Sequence, residues 1–289
     1  MCRLLGYATN GLELSLTDVI GEDESARFRD LGRIHNDGWG ACLVSAPNDS
    51  PFRRDGGEPV PETMERLYRS IESSVHDSMF PALATQRSRG AIWHLRLASS
   101  HLPLVLGNQQ PFATHGLSFI HNGDISNDEG RNIVDDRDFP VTRSTVLSTG
   151  GESDSAVFFA VVIEQVGLGL PLDEAVCRAV RKLRERYPLS SFNCMVQSRD
   201  ELVVLRAAGR EGTPQRVVDV YESYGRGDEA ADYRAVRYRP IADSAGAPVG
   251  VVVASSGFPQ PASLGWRELG NNHLLIASNH TGQFRIRSL

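Results

Sequence analysis

The chain has 289 residues, a formal charge of −6, 40% apolar and 23% charged residues. That balance fits a globular protein with a sizeable core, and the acidic surplus gives no electrostatic reason to bind nucleic acid or an anionic membrane. Cys2, Cys42, Cys177 and Cys194 form no CxxC or zinc-ligand spacing and the eight histidines no HExxH, so no metal centre or disulfide scaffold is expected, and a reducing cytoplasm is the expected compartment.

The first twenty residues lack the apolar core of a signal peptide, and the most apolar later stretch, 156–166, is broken by Glu164 and Gln165, so no membrane segment is expected. Met1-Cys2-Arg3-Leu4-Leu5-Gly6-Tyr7 reads as a strand led by a cysteine. If Met1 is removed, Cys2 carries an α-amine beside its thiol, a nucleophile and a base on one residue. Read alone, a cysteine near a terminus usually has no chemical role. Residues 18–30 are acidic and either helical or looped. His35-Asn36-Asp37-Gly38-Trp39-Gly40 leads into a short apolar strand at 41–44, and its glycines mark either an ordinary turn or a close backbone approach.

After a loop at 46–61, Met64, Leu67, Tyr68, Ile71 and Val75 recur at helical spacing behind Thr63, a candidate N-cap, and predict a core helix. The strand at 91–99 is apolar except for His94 and Arg96. A guanidinium in such a strand needs a partner, either a carboxylate of the protein or one of a ligand. A loop at 108–112 precedes a strand at 116–120 that stops at His121-Asn122-Gly123-Asp124. Asn-Gly is a strong hairpin signal. The alternative is that the Asn122 amide and the Gly123 N–H converge on a developing negative charge.

Residues 127–151 are polar and glycine-punctuated and read as a long loop and candidate lid. Glu152-Ser153-Asp154-Ser155 opens a helix with Ala156, Phe159, Ala160, Ile163 and Val166 on one face, and Asp154 suits the dipole there. A second helix, 172–187, turns Val176, Ala179, Val180 and Leu183 inward and a basic face outward. Strands are then expected at 192–197, 201–207, 217–220, 235–240, 250–254, 273–277 and 283–287, with 209–248 as a polar, irregular decoration. Strands, consecutive helices and strands again predict an α+β layered architecture.

Five motifs occur in order: Met1-Cys2-Arg3 with Leu5-Gly6, Asn36-Asp37-Gly38-Trp39-Gly40, Arg96-Leu97-Ala98-Ser99, Phe119-Ile120-His121-Asn122-Gly123 and Ser153-Asp154-Ser155. Together they resemble the class II glutamine amidotransferases, which are N-terminal-nucleophile hydrolases, and above all short stand-alone members such as the ergothioneine-pathway γ-glutamyl amidohydrolase. The resemblance implies a four-layer αββα sandwich of two mostly antiparallel sheets, a single domain over 1–289 with insertions at about 127–151 and 209–248, and no cofactor or metal.

It implies further that Cys2 attacks the γ-amide of glutamine or a γ-glutamyl conjugate to give a thioester, with its α-amine as base. Asn122 and Gly123 would stabilise the oxyanion, Arg96 would pair with the substrate α-carboxylate and Asp154 would hold the α-ammonium. Ser99 and the Asp37-Gly38-Trp39 turn would line the same pocket. The implied partner is a small-molecule substrate, alternatively with a separate ammonia-accepting synthase, and retention of Met1 would leave a non-catalytic binding module. An apolar sheet edge could pair two chains into a homodimer. Gln110 stands before Pro111 where histidine is common in the family, so the resemblance assigns that loop no role.

Overall fold

The computed structural model describes residues 2–44, 66–98, 103–136, 140–210 and 212–289. The first half runs β1 (Arg3–Thr9), α1 (Leu16–Ile20), α2 (Glu22–Asp30), β2 (Trp39–Leu43), β3 (Arg66–Ser70), α3 (Met79–Ala84), β4 (Gly90–Leu95), β5 (Phe112–Thr114), β6 (Leu117–Asn122) and α4 (Arg143–Ser148). The second half adds α5 (Asp154–Gly167), α6 (Leu172–Arg184), β7 (Asn193–Ser198), β8 (Glu201–Arg206), α7 (Gln215–Ser223), β9 (Val236–Ala242), β10 (Pro248–Ser255), β11 (Arg267–Glu268), β12 (His273–Ser278) and β13 (Phe284–Ser288). Among the described residues the strands form two sheets, ordered β11-β9-β10-β1-β4-β2-β3 and β13-β12-β8-β7-β6-β5.

Successive strand residues point to opposite faces, and the side-chain parity explains the layers. In the first sheet Leu5, Tyr7, Trp39, Ala41, Trp93 and Val252 pack against Leu16, Phe28 and Phe80 of α1–α3. In the second, Phe119, Val196, Val203 and Leu274 pack against α5 and α6. The alternate residues Leu4, Ala8, Cys42, Ile92 and Val253 meet Ile120, Met195, Val204 and Leu275 between the sheets. The result is the expected α+β sandwich of helices, sheet, sheet and helices, with both sheets antiparallel.

The helix expected over 63–75 is not formed. Thr63 and Met64 lie outside the described residues, and Arg66–Ser70 is the edge strand β3, paired with β2. Tyr68 packs on Trp39 at 5.0 Å between ring centroids and donates to Asp77 at 2.7 Å, while Ile71 is exposed, so the apolar recurrence served a strand and a turn. The strand expected at 217–220 is part of α7, whose Val217 and Tyr221 share one buried face four residues apart. The stretch at 127–151 contains α4, capped by Thr142, rather than loop alone. The stretch at 209–248 does not merely decorate: β9 lies between β10 and β11 in the first sheet.

Candidate active site

The parity that layers the fold also builds the site. Leu4 faces the second sheet, so Cys2, two residues earlier, faces it too. On β4 the inward series Ile92, His94 continues one residue past the strand to Arg96, which the β1–β4 register places opposite Cys2. On β6 the inward series Ile120, Asn122 ends at the same level, and the Cys2 backbone N–H donates to Asn122 Oδ1 at 2.9 Å across the gap between the sheets. Cys2, His94, Arg96 and Asn122 are all buried.

Burial by itself would raise the Cys2 thiol, but the positive chain terminus, the His94 imidazole and a hydrogen bond from the Leu97 backbone bring it down to about 5. Burial instead pushes the Cys177 and Cys194 thiols up. The His94 imidazole acts on the thiol both by its charge and as a hydrogen-bonding neighbour. Arg96 Nη1 is buried without a partner among the described residues. A buried, unmatched donor of that kind is costly unless a ligand satisfies it.

Asn122 Oδ1 also accepts from Tyr233 Oη at 3.2 Å. Two donors on one amide oxygen fix which way the group points and leave Nδ2 to face the site. Next to it, Gly123 can be no other residue without rearrangement. A Cβ there would fall 1.9 Å from the Ser191 carbonyl oxygen and 2.5 Å from His121 Nε2. His121 Nε2 donates to that same carbonyl at 2.8 Å and Nδ1 accepts from Ser155 Oγ at 2.9 Å. Burial holds its pKa below the usual histidine value, consistent with this neutral tautomer. His121 therefore props the Asn122-Gly123 turn from beneath.

Asp154, first residue of α5, accepts from Ile125 N at 3.0 Å through Oδ2 and from Ser155 N at 2.8 Å through Oδ1. Each oxygen retains a second lone pair for a ligand. The Asp37-Gly38 turn straps the end of β4: Arg96 N donates to Gly38 O at 2.8 Å, Asp37 N to Arg96 O at 3.2 Å and Ala98 N to Asp37 Oδ2 at 2.7 Å. The glutamine loop has a structural role, since Gln109 Nε2 donates to Asp37 O at 2.6 Å and Gln110 Oε1 accepts from His121 N at 2.6 Å. The Trp39 side chain does not reach the site. It points to the helix-facing core, where it stacks on Trp93 and donates to Asp77 at 3.0 Å. Ser99 lies outside the described residues.

No protein-family model and no curated relative matches the sequence. Solved structures do. A glutamine aminotransferase class-II domain protein from Silicibacter pomeroyi aligns with a TM-score of 0.59 at 19% identity, over 99% of both chains. A predicted glutamine amidotransferase from Pseudomonas aeruginosa aligns at 0.53 and 17% identity, over 96% of this chain and 98% of that one. Glutamine phosphoribosylpyrophosphate amidotransferase from B. subtilis aligns at 0.56 and 13% identity, over 99% of this chain but 49% of its own length. The chain has the class II glutamine amidotransferase fold.

Within this amidotransferase fold, the sequence reading missed a buried cluster behind Cys2. Arg3 faces away from the second sheet, and its guanidinium donates to Tyr221 Oη at 3.1 Å, Tyr233 O at 3.2 Å and Ser256 Oγ at 3.1 Å. It lies 4.4 Å from the Tyr233 ring centroid and forms no ion pair among the described residues, so the aromatic face and neutral acceptors carry the charge. Tyr221 Oη also meets His35 Nε2 at 2.8 Å. Only the buried charge of Arg3 hinted at this in the sequence. From Asn122 and Gly123 a cavity of about 670 Å3 opens outward, with Asp124, Tyr233 and Arg234 on its inner wall. Among the described residues no group of three or more metal-ligating side chains converges, and no helix is long and apolar enough to cross a membrane.

Proposed function

We propose that the chain is an amidohydrolase that cleaves the γ-amide of glutamine or a γ-glutamyl conjugate through a thioester on Cys2, once Met1 has been removed. The observation that carries this reading is the Cys2 N–H on Asn122 Oδ1, beside a thiol held near pKa 5. On this reading the nucleophile, the free α-amine that removal of Met1 would create and the oxyanion amide would share one hydrogen-bonded unit.

An α-amine titrates at about 7.7–8.0 and a free thiol at about 8.5, so near neutrality the proton passes between them almost in balance and a thiolate–ammonium pair forms on the one residue. The sulfur attacks the γ-carbonyl carbon, and the oxygen gains negative charge opposite Asn122 Nδ2 and the Gly123 N–H. The C–N bond breaks as the ammonium returns the proton to the leaving nitrogen. Water, deprotonated by the now neutral amine, hydrolyses the thioester, releasing glutamate and restoring the thiol. Arg96 receives the substrate α-carboxylate in a bidentate fork and Asp154 the α-ammonium.

The test is intact mass of the purified full chain before and after a glutamine-analogue diazo-ketone. A Met-less chain carrying one adduct, lost in Cys2→Ala, is the expected result. A chain that keeps Met1 and takes no adduct would make it a binding module rather than a hydrolase.

A further inference from the structure

The cavity beyond the oxyanion pair is larger than release of ammonia requires. Ammonia is about the size of water, which occupies roughly 30 Å3, whereas this cavity measures about 670 Å3, in the range of sites for small organic molecules. Asn122 and Gly123 line it, whereas Cys2, Arg96 and Asp154 do not, so it adjoins the site through the Asn122-Gly123 turn. If Arg96 and Asp154 hold the glutamyl α-groups, the cavity lies past the γ-carbonyl, on the side of the amide nitrogen.

Its inner wall carries both signs of charge. Arg234, half-buried just before β9, donates to the Arg210 carbonyl and forms no ion pair among the described residues. Burial and the neighbouring Arg210 charge both disfavour its cation. Arg234 and Arg210 both line the cavity and neither is paired with a described carboxylate, which makes this wall a place that gains from an anion. On the other side of Gly123, the Asp124 carboxylate accepts only neutral donors, Ser126 Oγ at 2.6 Å and Asn132 Nδ2 at 3.3 Å.

We propose that this cavity is the subsite for the amine portion of a γ-glutamyl amino acid, with Arg234, backed by Arg210, receiving the carboxylate that lies one carbon from the scissile nitrogen. The inference rests on the γ-glutamyl hydrolase reading of Cys2. Hydrolysis consumes one water, breaks the C–N bond and transfers a proton to the leaving nitrogen. The amine leaves neutral and takes its second proton from water, balanced by ionisation of the new glutamate γ-carboxyl group. The resulting ammonium faces Asp124 while the carboxylate stays with Arg234, so one product accounts for both charges on the wall. Glutamine, whose leaving group is ammonia, uses neither.

The test measures kcat/KM of the full chain lacking Met1 for γ-glutamylalanine, γ-glutamyl ethylamide and glutamine. The carboxylate contact predicts γ-glutamylalanine ahead of the ethylamide by about tenfold or more. That preference is lost in Arg234→Gln and reduced in Arg210→Gln, whose exposed position lowers the risk of misfolding. Equal turnover of all three substrates, or a preference that survives both substitutions, overturns the subsite and leaves the hydrolase reading standing. No turnover of any of them overturns the subsite, and absence of a diazo-ketone adduct on Cys2 then overturns the hydrolase reading as well.

Discussion

Gly123→Ala probes the proposed oxyanion role of the Asn122-Gly123 turn most directly. The new methyl would sit 1.9 Å from the Ser191 carbonyl oxygen and 2.5 Å from His121 Nε2, where ordinary contact begins at 3.4 Å. Relief needs a shift of about 1.5 Å, more than a close-packed interior absorbs without strain. Ser191 O is already held by His121, so the cheaper movement is of the Gly123 backbone, which carries its N–H away from the oxyanion. Loss of one such donor costs about 2.7–4 kcal/mol, or roughly 10²–10³ in kcat. Overpacking adds a stability loss of about 1–3 kcal/mol.

The assay is kcat and KM for glutamine hydrolysis by the chain lacking Met1, with urea unfolding alongside. Gly167→Ala is the control, since nothing lies within 4 Å of that position at the end of α5. It is expected to keep full turnover and to gain up to about 1 kcal/mol of stability. A folded Gly123→Ala protein with kcat within about threefold of the parent would refute the oxyanion role, because one displaced donor is worth far more than that.

Three further outcomes are expected. Alkylation of Cys2 should follow the thiolate: the thiol is depressed to about 5, so reactivity is complete at neutral pH and falls only as pH drops through about 5, and an inflection near the free-thiol value of about 8.5 would remove the proposed activation. Arg96→Lys keeps a charge but loses the planar fork, so KM should rise about tenfold or more with kcat little changed, and an unchanged KM would take Arg96 out of the pocket. Tyr233→Phe removes one donor from Asn122 Oδ1, worth about 0.5–1.5 kcal/mol, so kcat should fall a few-fold at constant KM. A lowered melting temperature with unaltered kcat would make Tyr233 structural only.

Strand alternation and motif order were legible locally. The strands that carry Cys2, Arg96 and Asn122 could be drawn from the sequence, but that these three residues share a level follows from the register of β1 with β4 and the stacking of the sheets. The 63–75 stretch was misread because five apolar residues at mixed spacing suit a half-exposed edge strand as well as a helix, and only the pairing of β3 with β2 decides between them. Val217–Val220 was misread for the converse reason, since a run rich in β-branched residues suits a strand until Val217 and Tyr221, one helical turn apart, share a buried face and Arg3 holds Tyr221.

By itself the sequence determined that a cysteine in position to carry a free amine precedes an α+β chain holding a strand arginine that needs a partner and an Asn-Gly turn. Those are properties of residue type and short spacing. The tertiary structure alone decided that Asn122 Oδ1 accepts the Cys2 N–H 120 residues away, that Trp39 faces the core rather than the pocket, and that Tyr233, whose carbonyl Arg3 holds, supplies the second donor that fixes the amide. Local periodicity says which face of a strand a side chain takes. What waits on the other side of that face depends on how two sheets stack, and that is set by the packing of the whole core between them.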